Sequence, residues 1–248
     1  MAPLPFPAQH HSSQIKNAVI FTFVITFFLM GNASAFQVMP MESELEIPSA
    51  ESPRALKFQI ENTDGAPIEI SLLVFRRTVD RREREVRRPT KDLRLSHTKL
   101  TLGPSEKKEL EVSYVGAVPV GRENAYRLMI RQTSGSVRMT YVPSIYVRSG
   151  PAQANLIVRN AQLILSKGKV SFQIENSGNS HKGLAGIKLS FLRPDGQPVA
   201  LDAVEIQKLE KEVILAGSSR RFSIPIARSE ATLGPTGRSE SLRAEVSF

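Results

Sequence analysis

The pentapeptide Phe-Gln-Ile-Glu-Asn stands twice in this 248-residue chain, at residues 58–62 and 172–176. A second match follows each copy, Ile70-Ser-Leu-Leu-Val-Phe-Arg76 answering Ile187-Lys-Leu-Ser-Phe-Leu-Arg193. The first pair is offset by 114 positions (58 to 172) and the second by 117 (70 to 187). A drift of three residues is one change of loop length between related units of domain size. Both segments alternate apolar and polar residues, the pattern of a strand with one buried face. The chain therefore reads as two β-rich domains of one kind in tandem.

Residues 1–35 read as an export signal rather than as part of the fold. Lys16 is their only formal charge and sits just before the apolar run 18–30. Gly31 follows, and Ala33-Ser34-Ala35 has the small-x-small form that signal peptidase accepts. An apolar stretch of about 13 residues is too short to cross a ~30 Å hydrocarbon core as a helix. Cleavage would leave a mature chain starting at Phe36, with the two domains expected over 36–150 and 151–248. Its net charge falls from +9 to +8, since Lys16 goes with the leader. The absence of cysteine means that an exported fold must hold on packing alone, which suits a bacterial periplasm. With no tryptophan and 6% aromatic residues, both cores should be aliphatic.

Short strands separated by turn signals fill the first unit. They are expected over 36–47, with Pro40 marking an edge or bulge, and over 55–62, 68–75, 93–95, 100–102, 110–112, 125–132 and 137–147. Ser149-Gly150-Pro151 is the natural boundary. The second unit carries strand patterns over 156–158, 161–165, 170–175, 187–192, 199–201, 213–215, 221–226 and 242–246, with a hairpin turn at Pro194-Asp195-Gly196-Gln197. Residues 205–213 have some helical character, but their strand-forming flanks argue against a helix. Some seven strands per unit without a convincing helix predict an all-β chain of two tandem immunoglobulin-like β-sandwiches.

Catalytic signatures are missing: there is no Walker A loop, G-x-S-x-G elbow, H-E-x-x-H or cysteine cluster. His97 and His181 stand far apart in turn-rich settings and read as solvated. No enzyme, cofactor or metal site is expected. Residues 76–88 hold seven Arg against Asp80, Glu83 and Glu85. They lack aromatic stacking platforms, and export removes the chain from nucleic acid, so no nucleic-acid partner is expected. The segment reads as a solvated hairpin, with contact to an acidic partner as the alternative.

Residues 137–147 form the longest strand pattern. Val137, Met139 and Tyr141 share one face, continued by Ile145 and Val147, while Arg138, Thr140 and Ser144 face the other way. Such a strand is either an ordinary half-buried one or, closing its domain, an apolar sheet edge that invites another chain to pair.

Taken together, the chain resembles periplasmic pilus-assembly chaperones of the chaperone–usher pathway, in a divergent, archaic-like form. The likeness is carried by Ile60-Glu-Asn62, the turn with Pro67, Leu100-Thr-Leu-Gly-Pro104, Glu123-Asn-Ala-Tyr126-Arg127-Leu128 and the closing Ile145-Tyr-Val-Arg148, in that order and spacing. The resemblance implies that the last strand of the first domain completes a pilin-like subunit lacking a strand, donating Val137, Met139 and Tyr141 with Ile145 continuing the row. It also implies delivery to an outer-membrane usher, and no membrane insertion after signal cleavage. Each well-buried apolar side chain would contribute about 1.5–3 kcal/mol, beside a main-chain ladder.

One departure matters. Typical members hold the subunit's terminal carboxylate with an Arg on the first strand and a Lys on the last. Here the first strand reads Met41-Glu42-Ser43-Glu44, and Ser144 stands where the Lys is expected. Arg148 is the substitute candidate. Rival readings are an adhesive immunoglobulin-like protein without chaperone activity and a carbohydrate-binding sandwich.

Overall fold

Pro40 divides the opening extended segment, and its halves go to different sheets. β1 (Phe36–Met39) pairs antiparallel with β3 (Ala55–Asn62), whereas β2 (Glu42–Glu46) crosses to the opposite sheet. Proline has no N–H to give a ladder, so a strand is interrupted there. The computed structural model describes residues 35–49, 51, 54–135, 138–227 and 239–247. Apart from Ala35, the expected leader lies outside these residues, as does Val137. No helix among the described residues is long and apolar enough to cross a membrane.

The first sandwich continues with β4 (Ile68–Val79), β5 (Glu85–Pro89), β6 (Leu93–Leu95), β7 (Lys99–Leu102), β8 (Lys107–Tyr114), β9 (Asn124–Gln132), β10 (Thr140–Tyr141) and β11 (Ser144–Arg148). One sheet has the order β1-β3-β8-β6. The other runs β2-β11-β9-β4-β5, with β7 beside β4 and β10 beside β9. Alternation sends one face of each sheet inward. Phe58, Ile60, Leu110 and Val112 from the first sheet thus meet Ile70, Leu72, Leu128, Ile130, Ile145 and Val147 from the second in one core.

The second sandwich holds β12 (Leu156–Ile164), β13 (Lys169–Asn176), β14 (Lys182–Gly183), β15 (Lys188–Leu192), α1 (Ala203–Leu209), β16 (Val213–Ile214), β17 (Ser219–Pro225), β18 (Ser239–Ser241) and β19 (Arg243–Ser247). Its main sheet is β17-β13-β12-β18, with β15 pairing β19 and β14 pairing β16. Phe172, Ile174, Phe191 and Ile224 are buried in a second core. All-β architecture in two tandem sandwiches is the fold class expected from the repeats.

The repeats occupy matching places. Phe58 of β3 stands opposite Leu110 of β8, and Phe172 of β13 stands opposite Phe222 of β17.

Besides the division of the strand expected over 36–47, three expectations change. The extended pattern at 137–147 is not one strand: Val142-Pro143 separates β10 from β11, although the apolar parity runs on across the break. Residues 156–158 and 161–165 belong mostly to one strand, β12, whose register shifts between Arg159 and Gln162 around Asn160 at φ 52°. A helix, α1, does form where strand-forming flanks argue against one, because the Asp202 carboxylate accepts from the N–H groups of Val204 and Glu205. That side-chain cap satisfies donors every helix start leaves open.

Candidate functional site

The closing segment of the first sandwich differs in cover along its length. β11 lies between two neighbours, parallel to β2 (Ser144 opposite Glu42 through Arg148 opposite Glu46) and antiparallel to β9. β2 does not reach β10, and among the described residues β10 pairs with β9 alone. The Met139 carbonyl accepts from Gln132 N–H at 3.0 Å, and the Pro143 carbonyl accepts from Leu128 N–H at 3.0 Å. Backbone groups in an antiparallel pair alternate in direction, so those of Thr140, between them, point away from β9. Arg138 and Thr140 are exposed. Met139 and Tyr141 are half-buried against the first core, with the Met139 sulfur 3.3 Å from Ala35 N and Tyr141 edge-on to Phe36.

Behind this edge, the outer face of the large sheet meets the second sandwich. Ala125, Tyr146 and Val79 pack there with Leu215 and Val213. Glu85 sits beside them among three guanidinium groups: Arg77 Nε at 2.6 Å, Arg87 Nε at 2.6 Å and Arg127 Nη2 at 3.1 Å. Burial alone would raise the Glu85 carboxyl. Hydrogen bonds from Arg127 and Arg87, with the charges of Arg77 and Arg127, outweigh it and hold the group at about 2. Arg127 also donates to Ser144 Oγ, and Arg77 donates to the Tyr146 hydroxyl at 3.1 Å. A cleft of about 610 Å³ opens between Arg77, Glu85, Arg87 and the Ile214 and Arg220 region.

His181 closes the other flank of this joint. Its ring stacks on Tyr146 with centroids 3.5 Å apart and planes 9° from parallel. Nδ1 lies 3.0 Å from Glu123 Oε2, and the Glu123 carboxylate also accepts from the His181 backbone N–H. The solvated-loop reading holds for exposed His97 and fails for His181, whose side chain is 8% exposed. Nothing in its immediate sequence marks it, since its partners come from β2, β11 and Glu123, the residue before β9.

The residues singled out from sequence separate into two groups. Met139 and Tyr141 lie on the β10 edge, and Val137 is outside the described residues. Ile145 has no exposed surface and belongs to a strand paired on both sides, which takes it off any edge offered to another chain. Arg148 is held by the carboxylates of Glu44 and Glu46, so its charge is already matched. The basic segment 76–88 is solvated over most of its length, as expected of a hairpin, but is anchored at two points. Arg77 is buried, and Glu83 at the hairpin tip accepts from Gln173 of the second sandwich at 2.6 Å.

No family model and no curated protein matches the chain. Solved structures do. It is similar to a chain of the CsuC–CsuE chaperone–tip adhesion subunit pre-assembly complex from the archaic chaperone–usher Csu pili of Acinetobacter baumannii, at 18% identity and a TM-score of 0.52, covering 76% of this chain and 90% of that one. It is similar to the class 5 fimbriae chaperone CfaA at 15% identity and 0.51, covering 86% and 100%. The YadV chaperone matches at 9% identity and 0.50, covering 86% and 91%. The chain has the two-sandwich fold of pilus-assembly chaperones.

Proposed function

We propose that the protein is a periplasmic chaperone that binds pilin-like subunits by donor-strand complementation and hands them to an outer-membrane usher, without catalysing a reaction. The observation that carries this reading is the β10 edge: backbone groups of Thr140 turned outward beside half-buried Met139 and Tyr141. A subunit lacking one strand exposes an apolar groove and open main-chain donors and acceptors. A strand edge of this kind supplies both complements at once. Val137 is placed with Met139 and Tyr141 in the donated row by the sequence alternation. The CsuC–CsuE complex, a chaperone with a tip adhesion subunit, supports the choice of partner class. Ile145 and Arg148 have no part in this contact.

Co-expression with candidate subunits from the native host tests the reading. A subunit that aggregates alone should become soluble and co-purify with the chain. Met139→Glu, which puts a charge into the donated row, should abolish capture. Failure of every pilin-like subunit to be captured, or glycan binding in their absence, overturns the proposal.

A further inference from the structure

Both ring nitrogens of His181 face acceptors. Nδ1 addresses the Glu123 carboxylate at 3.0 and 3.1 Å, while Nε2 lies 3.6 Å from Glu42 Oε1 and 3.9 Å from Glu44 Oε1, beyond hydrogen-bond reach. A neutral imidazole carries one N–H. It belongs on Nδ1, where a carboxylate only 1% exposed receives it. The lone pair of Nε2, on a ring more than nine-tenths buried, is then aimed toward two carboxylates. Stacking on Tyr146 fixes that aim.

We propose that His181 Nε2, Glu42 Oε1 and Glu44 Oε1 form a binding site for a divalent transition-metal ion of the Zn²⁺ class. Ligand atoms around a tetrahedral zinc with bonds of about 2.0–2.2 Å stand about 3.4 Å apart. The two distances from Nε2 need to contract by only tenths of an ångström, and one ligand atom from each of the three residues already lies within 4.8 Å of the other two. Glu42 and Glu44 are two apart on β2 and so project on one face. The movement falls on an edge strand that, among the described residues, pairs with β11 alone. Glu123 then acts behind the ligand shell, fixing the tautomer and orientation of the ligating ring. Arg148 is the local cation, but it engages Glu44 through the other oxygen, Oε2, and Glu46. Glu44 Oε1 stays directed at the site. One imidazole with two carboxylates suits zinc or its neighbours, whereas Ca²⁺ demands six or more oxygens. A bound ion would tie the opening strand of the first sandwich to the segment before β14 in the second.

The full chain, stripped of metal with a chelator and then titrated with Zn²⁺ in a calorimeter, tests this. His10, His11 and His97 stay in place in every variant, so any binding they contribute is common to all. Wild type should bind one Zn²⁺ that Glu42→Gln and His181→Gln each weaken by at least about tenfold. Zn²⁺ should raise the melting temperature of wild type and not that of the variants. The Glu42 side chain is about half exposed, and its carboxylate has no hydrogen-bond donor among the described residues. Its variant therefore decides the question even if His181→Gln disturbs the joint. Zn²⁺ binding unchanged in both variants, no binding in wild type, or Ca²⁺ binding as tight as Zn²⁺ each overturns the site. The first two leave the His181 ring as a purely structural link between Glu123 and Tyr146.

Discussion

Asn62 and Asn176 close equivalent turns in the two sandwiches. The Asn62 amide donates to the carbonyls of Ala66, Leu102 and Gly103, and its oxygen accepts from Asp64 N–H. The Asn176 amide donates to Ser180 and Ile214 carbonyls, and its oxygen accepts from Asn155 and Gly178 N–H. Neither residue has exposed surface. Asn→Ala at either site strips several hydrogen bonds and leaves buried carbonyls without donors. We expect a loss of about 2–4 kcal/mol, read as a lower urea midpoint. Asn→Asp should not restore it, because the lost function is donation.

This pair explains why the tandem architecture was legible in the sequence. Phe58, Ile60 and Asn62 each have a counterpart at 172, 174 and 176 with the same burial and the same job, so the letters themselves repeat. The strand break at Pro143 was harder to see. Ile145 and Val147 keep the parity of Met139 and Tyr141, so alternation alone continues the strand, and only the passage of β2 alongside Ser144 distinguishes a covered half from an open one. The helix α1 has its start signal in Asp202, whose carboxylate caps the N–H groups of Val204 and Glu205, a cue that strand-forming flanks obscure. The cluster around His181 was out of reach, because residues at 42, 44, 123, 146 and 181 meet only after two sandwiches have folded and docked.

Glu85 sets an acid limit on the joint. Its folded value of about 2 lies below the ordinary 4.5. A depressed carboxyl contributes stability that is fully present above the ordinary value and is lost as pH falls through the folded one. Glu85→Gln should therefore cost about 1–3 kcal/mol at pH 7, discounted for its quarter exposure. The gap from wild type should narrow below pH 4.5 and close near pH 2. Urea unfolding at pH 7, 4.5 and 2.5 measures it; a difference independent of pH would assign the loss to shape rather than charge.

Gly178 packs where no side chain fits. A Cβ there would stand 2.1 Å from the Gln153 carbonyl and 2.7 Å from Ala154 Cα, both backbone. The strip cannot yield easily, since Ser177 N–H donates to Asn155 and Asn179 N–H donates to Gln153. Gly178→Ala should destabilise by about 1–3 kcal/mol. Gly65→Ala, with nothing within 4 Å, is the matched control and should change the midpoint little.

Thr140→Pro separates edge recognition from folding. The Thr140 N–H points away from β9, so removing it leaves the hydrogen bonds of the β9–β10 ladder in place. Proline is tolerated on edge strands for that reason, and the preceding Met139 is already held extended by its bond to Gln132. The variant should melt within a few degrees of wild type, as a change under about 1 kcal/mol implies for a chain of this size. It should nonetheless capture subunit at least about tenfold more weakly, since a client strand loses a main-chain donor and meets a ring at the point of closest approach. Co-purification yield from matched co-expressions, with circular dichroism melts of the chain alone, gives both numbers. A Thr140→Pro protein that folds and captures normally would show that clients dock somewhere other than beside β10.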